Sequence, residues 1–469
     1  MAADETSFER LTRFGMAPST DAAVQIDITA VLRRSGSELV ETYLCDHNCT
    51  VLHKGQPTGG HYNCPAALSL NRGAVASTIA GADLLVEGIE RTLAAAREAQ
   101  QDFITDEFDR YADESAIPAA LREPIRSSMR QGPSEVTLFG GSPEAHPDFI
   151  PLVEGLHRRG HAVHLTVTGR RAVRSPESFE RMASSGIAVL AVSADDVATP
   201  ADLGRLLQCD PEELRTEWKR VSPFHGQRQK VYEAIHAARL WQRLPVDRRP
   251  ALLFNIAVHP GNVADIDTIL TQLAGAFPGA LLNPFPMQSA FEGRIEHVDP
   301  ATLRGFRSLV NTALEMHRRQ AVDGVSAWSL APRMHYWLLL SAALGDATAP
   351  VRLTGWNTWK CYRSNGAGRY VQIAGTGRRP AGLETAGGRV GCFWNDTVND
   401  DDLPAVWEAK PSEIRRYLQL RPVRAAEKAH RCAGCLFPRL VGDMVSLESG
   451  MDPALREAYL SLRRRDLGF

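Results

Sequence analysis

Hydrophobic and polar positions along much of the chain switch between two periods. Short apolar runs predict buried strands at 136–139, 162–168, 187–193, 251–258 and 280–285. Apolar residues at helical spacing follow them and predict helices at 149–159, 176–185, 227–242, 263–276 and 300–318. Strands that alternate with helices in this way predict βα units built around a parallel sheet.

Two further strand-like stretches come earlier, at 24–28 and 39–44, and the second leads directly into Cys45. A helical pattern at 82–101 continues as a charged segment to about residue 130. Together these units predict an α/β fold with enough repeats for a full or partial barrel of the TIM type over 24–330, after an N-terminal extension over 1–23. The form we expect is a partial (β/α)6 barrel. In barrels of this kind the functional groups lie at the C-terminal ends of the strands.

The pattern changes after about residue 330. Residues 353–400 are rich in glycine, aromatic and turn-forming residues, with a hairpin-like strand at 369–373. Helical patterns at 411–420 and 423–428 follow. This change predicts a second, smaller α+β module over 331–469.

Charge and hydropathy narrow the class of protein. The 53 basic and 55 acidic side chains give a net charge of −2, which favours neither nucleic acid nor an anionic membrane. The arginines at 463–465 are interpreted as a solvated helix end. The N-terminus has no signal-peptide pattern, and the longest apolar run, 337–344, is too short to span a bilayer. The prediction is a cytoplasmic protein with no nucleic-acid or membrane partner.

The eight cysteines are the most informative residues, and seven of them fall into two groups. The first group is Cys45, Cys49 and Cys64. Thiols inside cells stay reduced, so grouped cysteines favour metal or cluster ligation. Three thiolates on one loop suit a [4Fe–4S] cluster with one open iron. A structural zinc site normally takes four ligands, and His53 or His61 can supply the fourth, so zinc stays an alternative on the loop alone.

The second group lies in the C-terminal module and consists of Cys361, Cys392, Cys432 and Cys435. Four thiolates match either one fully ligated [4Fe–4S] cluster or a zinc ion. Cys209 lies outside both groups and is interpreted as an ordinary buried thiol.

The cysteine loop, the Gly140-Gly141-Ser142-Pro143 turn and the βα series resemble radical S-adenosylmethionine (SAM) enzymes. The resemblance implies that this turn holds the methionine amino group of SAM through its backbone, which glycine lets approach closely. Ser142 stands where the family usually has glutamate. The third cysteine of the family spacing would fall at Leu52, so an insertion of twelve residues is inferred, which moves that ligand to Cys64; His53 is the alternative ligand.

The resemblance also implies SAM contacts elsewhere along the chain. Tyr62 is expected near the adenine, with a loop tyrosine that shields the cluster as the alternative. The contacts expected at strand ends are Ser193 and Asp195 for the ribose and carboxylate, with Thr166, Thr168 and Asn255 beside them. Hydroxyl groups at strand ends also serve as helix caps, so that interpretation stays open for each.

The C-terminal cysteines are similar to the auxiliary-cluster modules called twitch and SPASM, and their number matches the twitch arrangement. The resemblance thus implies two [4Fe–4S] clusters and SAM as cofactors. Residues near strand ends that could contact substrate, but are interpreted first as structural, are Glu144, His146, His164, His259, Asn283 and Gln288.

The activity implied is reductive cleavage of SAM to a 5′-deoxyadenosyl radical, which abstracts hydrogen from a peptide or natural-product precursor. An external electron donor of the flavodoxin or ferredoxin type is expected. Only 44 residues precede Cys45, so no integral leader-peptide-binding domain is expected before it. The alternatives are a radical SAM methyltransferase or lyase, a small-metabolite dehydrogenase and, from another class, a zinc-stabilised barrel protein without redox chemistry.

Overall fold

A computed structural model gives the conformation of the protein over a defined part of the chain. The described residues are 23–28, 30–35, 38–43, 52–53, 56–57, 81–106, 108–114, 118–131, 135–139, 142–194, 199–220, 226–259, 261–286, 300–324, 327–331, 334–344, 351–352, 370–373, 375–376, 388–392, 395–403, 446–447 and 452–466. All structural statements below refer to these residues.

Strands and helices alternate along the described chain. The strands are β1 (Ala23–Asp27), β2 (Ala30–Ser35), β3 (Glu38–Tyr43), β4 (Leu52–His53), β5 (Gln56–Pro57), β6 (Glu135–Phe139), β7 (Ala162–Val167), β8 (Ile187–Ser193), β9 (Ala251–Val258), β10 (Leu281–Pro286), β11 (Val351–Arg352), β12 (Tyr370–Ile373), β13 (Gly375–Thr376), β14 (Gly388–Cys392), β15 (Asn395–Leu403) and β16 (Ser446–Leu447). The helices are α1 (Ala82–Asp106), α2 (Phe108–Glu114), α3 (Ala119–Gln131), α4 (Phe149–Arg158), α5 (Arg170–Arg174), α6 (Pro176–Ala183), α7 (Pro200–Gln208), α8 (Pro211–Arg220), α9 (Gly226–Arg243), α10 (Ile266–Ala276), α11 (Pro300–Asp323), α12 (Met334–Ala343) and α13 (Pro453–Asp466).

The main sheet has the strand order β10-β9-β8-β7-β6-β1-β12-β14-β15. Its strands from β10 to β12 are parallel, and β14 and β15 continue the sheet in antiparallel pairing. From β6 to β10, neighbours in the sheet are also consecutive parallel strands of the chain, with helices in each connection. The predicted α/β fold with a parallel sheet is confirmed.

Successive residues of the central strands point alternately to the two faces of the sheet. Leu165, Leu190 and Phe254 point to one face, are essentially unexposed, and pack with the buried residues of the helices in one large core. Phe254 meets Phe277, at the end of α10, with ring centroids 5.3 Å apart. Burial of this kind stabilises by about 1.5–3 kcal/mol for each large side chain, so this face supplies most of the hydrophobic stabilisation.

The turn between β7 and α5 requires glycine at position 169. Gly169 has φ of +85°, a conformation that costs other residues energy. A Cβ there would lie 2.6 Å from the carbonyl oxygen of Glu233 on α9. The absence of a side chain therefore lets α9 close directly over the end of β7.

A β-hairpin formed by β2 and β3 follows β1 and returns the chain to a point near the end of β1. β2 and β3 pair antiparallel, and their register sets Tyr43 opposite Ala30. Ala30 lies three residues after Asp27, the last residue of β1. The chain that continues from Tyr43 therefore starts beside the carboxyl end of a strand of the parallel sheet.

The predicted strands and helices agree closely with the observed ones where the chain is described. The strands at 187–193 and 251–258 were predicted with the observed bounds, and α11 extends five residues beyond its predicted end. The described elements that the hydrophobic pattern missed include the strands β2, β14 and β15, the helices α5, α7, α8 and α12, and the two-residue strands β4, β5, β11, β13 and β16. The predicted helices at 411–420 and 423–428 lie outside the described residues.

The C-terminal arginines correct one prediction. They form the last turn of α13, as expected, but Arg463 is only 2% exposed, whereas Arg464 and Arg465 are exposed. α13 packs against α3 and α11, and this contact buries the side of the helix on which Arg463 lies. In the described part of the chain, none of the helices combines the length and apolar character needed to cross a membrane.

Candidate functional site: the open face of the sheet

The second face of the central strands carries polar side chains where the first carries large apolar ones. His164, Thr166, Ser193 and Asn255 are partly exposed on it, and Asn283 is nearly buried. The apolar residues of this face form a separate small cluster of strand residues, joined from outside the strands by Ala331. We call this surface the open face, because among the described residues its small core contains no helix residue.

Strand register arranges the polar residues of the open face in a row. Ser193 on β8 pairs with Asn255 on β9, which pairs with Asn283 on β10. Neighbouring strands lie about 4.8 Å apart, so the three side chains cover about 10 Å across the sheet. The Asn283 amide donates from Nδ2 to Oδ1 of Asn255 at 2.6 Å. This bond leaves the amide N–H groups of Asn255 as its remaining donors.

Thr166 lies on the same face, one strand over. It pairs with Ala191, two residues before Ser193, so it is one pleat further from the carboxyl end. The predicted SAM contacts Thr166, Ser193 and Asn255 are therefore brought together on one surface, near the ends of three adjacent strands.

Beyond the ends of β6 and β7, a buried polar cluster joins two connections. The Thr168 hydroxyl donates to Oε1 of Glu144 at 3.1 Å and accepts the Arg170 backbone N–H at 3.3 Å. Nη2 of Arg171 donates to the carbonyl oxygen of Glu144, and its Nη1 donates to Ser178 at 3.1 Å. Glu144 is 2% exposed, in a short 3₁₀ turn over Pro143–Ala145. The carboxyl group therefore lies in the protein interior, where its Oε1 accepts the Thr168 hydroxyl.

Next to this cluster lies a buried ion pair. Nε of Arg170 is 3.2 Å from Oε1 of Glu233, which also accepts the Trp218 indole N–H at 2.8 Å. The Arg170 guanidinium lies 6.0 Å from the centre of the Trp218 ring. Removing one partner of such a buried pair is strongly destabilising, because it leaves an uncompensated charge. The pair fixes α5, α8 and α9 around the end of β7.

Two histidines at strand ends serve local turns. Nδ1 of His146 accepts the Asp148 backbone N–H at 3.1 Å. Nδ1 of His259 accepts the Gly261 backbone N–H at 3.1 Å, and the His259 N–H donates to Oδ1 of Asn262 at 2.8 Å. These contacts support the structural interpretation given to both histidines.

The described residues on either side of segment 44–80, which contains the first cysteine group, lie beside the carboxyl edge of the sheet. The segment starts after Tyr43, near the end of β1. It is followed by Gly81 and then by α1, whose first residue, Ala82, donates its backbone N–H to Oδ2 of Asp148 at 3.4 Å. Asp148 belongs to the connection that leaves the carboxyl end of β6. Both flanking residues therefore lie at the edge where parallel sheets of this type carry functional groups.

Many predicted ligands lie outside the described residues. These are Cys45, Cys49, Tyr62, Cys64, Gly140, Gly141, Asp195, Gln288, Cys361, Cys432 and Cys435, together with the alternative ligands His53 and His61 as side chains. Cys392 is described only as the last backbone position of β14. Within the described part of the chain no group of three or more histidine, cysteine or acidic side chains could hold a metal ion. The predicted cluster ligands thus stay predictions.

Cys209, outside both groups, is half-buried rather than fully buried. Its thiol donates to the Arg205 carbonyl oxygen at 3.4 Å, and burial raises the pKa of the thiol. A raised pKa lowers the thiolate fraction and hence the reactivity. This agrees with an inert role for Cys209.

Sequence reasoning missed three charged residues of the buried polar cluster and of the ion pair beside it. Arg170, Arg171 and Glu233 received no role, although they surround the end of β7. Arg170 and Arg171 directly follow the Thr168-Gly169 strand end, which was a usable signal. Glu233 lies in the middle of a helix 63 residues further on and gave none.

No protein-family model matches this chain, and a search of curated proteins found no match either. The functional assignment therefore depends on the residues and their arrangement.

Proposed function

We propose that this protein is a radical SAM oxidoreductase that modifies a peptide or natural-product precursor. The observation that carries the proposal is the position of the two described residues that flank the cysteine-bearing residues 44–80 in the sequence. Tyr43 and Ala82 both lie at the carboxyl edge of a parallel sheet, beside an open face with polar side chains. A three-cysteine loop in that place can hold a cluster over the ends of the strands.

The same arrangement supports a partial (β/α)6 barrel as the finer description of the fold. Strands β6 to β10 follow chain order in the sheet, and the buried helix residues pack with one face of it. An open doubly wound sheet carries helices on both faces, whereas a barrel keeps its second face for the interior. The small and polar residues of the open face suit such an interior.

The residues of the open face fit SAM as a ligand. SAM offers a carboxylate, an amino group, ribose hydroxyls and adenine nitrogens, which need hydrogen-bonding partners of both kinds. Ser193 and Thr166 supply hydroxyls that donate and accept, and Asn255 supplies amide donors. Their partial exposure leaves them accessible to a ligand.

When bound, the reduced cluster and SAM supply a 5′-deoxyadenosyl radical that takes a hydrogen atom from the substrate. The chain itself has to bind and orient SAM, keep the sulfonium beside the open iron, and exclude water. Ser193, Thr166 and Asn255 orient the nucleoside in this proposal, and Cys45, Cys49 and Cys64 hold the cluster. Exclusion of water prevents loss of reactive intermediates to the solvent.

For the second cysteine group, the backbone supports a common site for two members. β14 is antiparallel to β12, with Val390 opposite Val371, so Cys392 lies near the end at which the chain enters β12. Cys361 comes nine residues before Tyr370, the first residue of β12. In the proposal these two cysteines join Cys432 and Cys435 around an auxiliary [4Fe–4S] cluster. Electrons come from an external flavodoxin-type or ferredoxin-type donor.

The test is purification without oxygen, followed by iron and sulfide analysis and incubation with SAM and dithionite. Two clusters predict about eight iron and eight sulfide ions per chain. The expected product of SAM is 5′-deoxyadenosine, measured by chromatography and mass spectrometry.

Variants make the test specific for the ligands. Cys64→Ala should lose one cluster and all 5′-deoxyadenosine formation. The matched control is Cys209→Ala, which removes a thiol outside both groups and should leave iron content and SAM cleavage unchanged. Bound zinc without sulfide would contradict the proposal and favour a zinc-stabilised protein. If His53→Ala loses SAM cleavage and Cys64→Ala does not, then His53, and not Cys64, is the third ligand.

A further inference from the structure

Glu144 is a buried carboxylate at the edge of the candidate site, and the functions assigned above do not use it. It is 2% exposed, although a buried carboxylate is costly unless donors surround it. It lies two residues after Ser142, in the turn that follows the end of β6. A carboxyl group buried in such a place needs a physical reason.

The contacts of Glu144 cross from one strand end to the next. Its carboxylate accepts the Thr168 hydroxyl at 3.1 Å, and its carbonyl oxygen accepts Nη2 of Arg171. Thr168 and Arg171 belong to the β7–α5 connection, and Thr168 is fixed in turn by the Arg170 backbone N–H at 3.3 Å. Glu144 thus ties the turn after β6 to the turn after β7 through its side chain and its backbone.

The other end of the same segment is tied to the cysteine-bearing part of the chain. The His146 ring accepts the Asp148 N–H, and the Asp148 carboxylate accepts the N–H of Ala82, at the start of α1. Segment 142–148 therefore connects the end of β7 with the start of α1, which follows the cysteine-bearing residues 44–80 in the sequence. A shift of this segment would move both.

We infer that Glu144 is a positioning residue that holds the Ser142–Pro143 turn against the end of β7 and thereby sets the affinity for SAM without touching it. This inference rests on the proposed function. Thr168 takes part in the same positioning, because its hydroxyl donates a hydrogen bond to Oε1 of Glu144.

The experiment measures SAM affinity and turnover separately. The variants are Glu144→Ala, Glu144→Gln and Thr168→Val, each reconstituted with iron and sulfide without oxygen. The KM for SAM and the kcat for 5′-deoxyadenosine formation are determined. A titration of the reduced protein with SAM, followed by electron paramagnetic resonance, gives the affinity without turnover.

Glu144→Ala should raise the KM for SAM several-fold, up to about tenfold, the factor expected from loss of one hydrogen bond, and leave kcat within about threefold. Glu144→Gln keeps an oxygen that can accept the Thr168 hydroxyl, so it should restore most of the affinity. Thr168→Val keeps the shape and should change KM in the same direction as Glu144→Ala. The double variant should raise the KM by less than the product of the two single effects, because both single changes remove the Thr168–Glu144 bond; effects that simply multiply would contradict the inference.

Glu154→Gln, on the exposed side of α4, is the matched control and should behave like the wild type. An unchanged KM in folded Glu144→Ala and Thr168→Val protein overturns the inference while the proposed function stands. A fall in kcat alone also overturns it. If Glu144→Ala does not fold, Thr168→Val decides. Wild-type protein that makes no 5′-deoxyadenosine overturns the proposed function and this inference with it.

Discussion

The two faces of the central strands are made by alternate residues of the same segments, yet they differ in almost every property. Phe254 is fully buried in the core shared with the helices, while its neighbour Asn255 is partly exposed on the open face. Val192 and Ser193 on β8 show the same contrast. Successive side chains of a strand point to opposite faces, so one strand can serve two purposes.

The contrast indicates a division between stability and chemistry. Large apolar side chains on the helix-covered face bury area, which stabilises the fold. Polar side chains on the open face bury less apolar area and remain accessible. They therefore contribute less to stability and can form hydrogen bonds with a ligand. Variants of neighbouring residues should therefore change different quantities, and four predictions test this in order of decreasing effect.

The largest effect is expected from Phe254→Ala. The side chain is unexposed and its ring lies 5.3 Å from that of Phe277, so truncation leaves a cavity under α10. The free energy of unfolding should fall by about 3–5 kcal/mol, measured by urea denaturation. SAM affinity of the protein that remains folded should stay near the wild-type value. A loss below about 1 kcal/mol would break the comparison, because the covered face would then not carry the stability.

The second effect is a pH dependence from His236, on the helix-covered side. Its side chain is 1% exposed, and burial lowers the pKa from 6.5 to about 4 against the opposing charge of Glu212. Between these values the unfolded chain binds a proton that the folded chain does not, so stability falls as pH falls. The full loss is about 3 kcal/mol and is reached below pH 4.

His236→Gln cannot titrate and is the variant that isolates this effect. Its unfolding free energy should fall less steeply than that of the wild type between pH 6.5 and pH 4, as measured by urea denaturation at several pH values. Equal slopes would show that His236 is protonated in the folded protein or accessible to solvent, contrary to its position in the core.

Much of the sheet could be predicted from the sequence, because the parallel strands are continuous apolar runs. Both 187–193 and 251–258 were predicted with the observed bounds. Buried parallel strands carry apolar residues in succession, which gives a strong signal. α8 was missed because its sequence is mostly charged and buries a single large residue, Leu214.

The candidate site could be predicted only where it depends on position along a strand. Thr166, Ser193 and Asn255 lie near strand ends, and parallel strands bring such ends together. The partners of Glu144 could not be predicted, because Thr168 and Arg171 are 24 and 27 residues away and only the tertiary fold joins them. Contacts between two loops that follow different strands produce no periodic pattern in the sequence.

The third prediction concerns Ser193→Ala on the open face. Ser193 is partly exposed at the end of β8, so removing its hydroxyl should change the free energy of unfolding by about 0.5 kcal/mol or less. The KM for SAM should rise several-fold, up to about tenfold, as expected for one lost hydrogen bond. Ser308→Ala, on an exposed position of α11, is the matched control and should change neither quantity. A large loss of stability without a change in KM would place Ser193 with the structural residues.

The smallest effect is expected on the solvent side of the helices, at Glu315 of α11. Hydrogen bonds from Arg318, at 2.7 and 2.8 Å, and from Arg319, at 2.8 Å, lower the pKa of Glu315 to about 2. A lowered pKa means that the carboxylate stabilises the fold above its unfolded value of 4.5 and that this contribution is lost as pH falls toward 2. The carboxylate is exposed and screened by salt, so Glu315→Gln should lower the unfolding free energy by only about 0.5 kcal/mol at neutral pH. The difference should vanish at low pH or at high salt. A loss above about 2 kcal/mol would show that stability is not concentrated under the helices, against the contrast between the two faces.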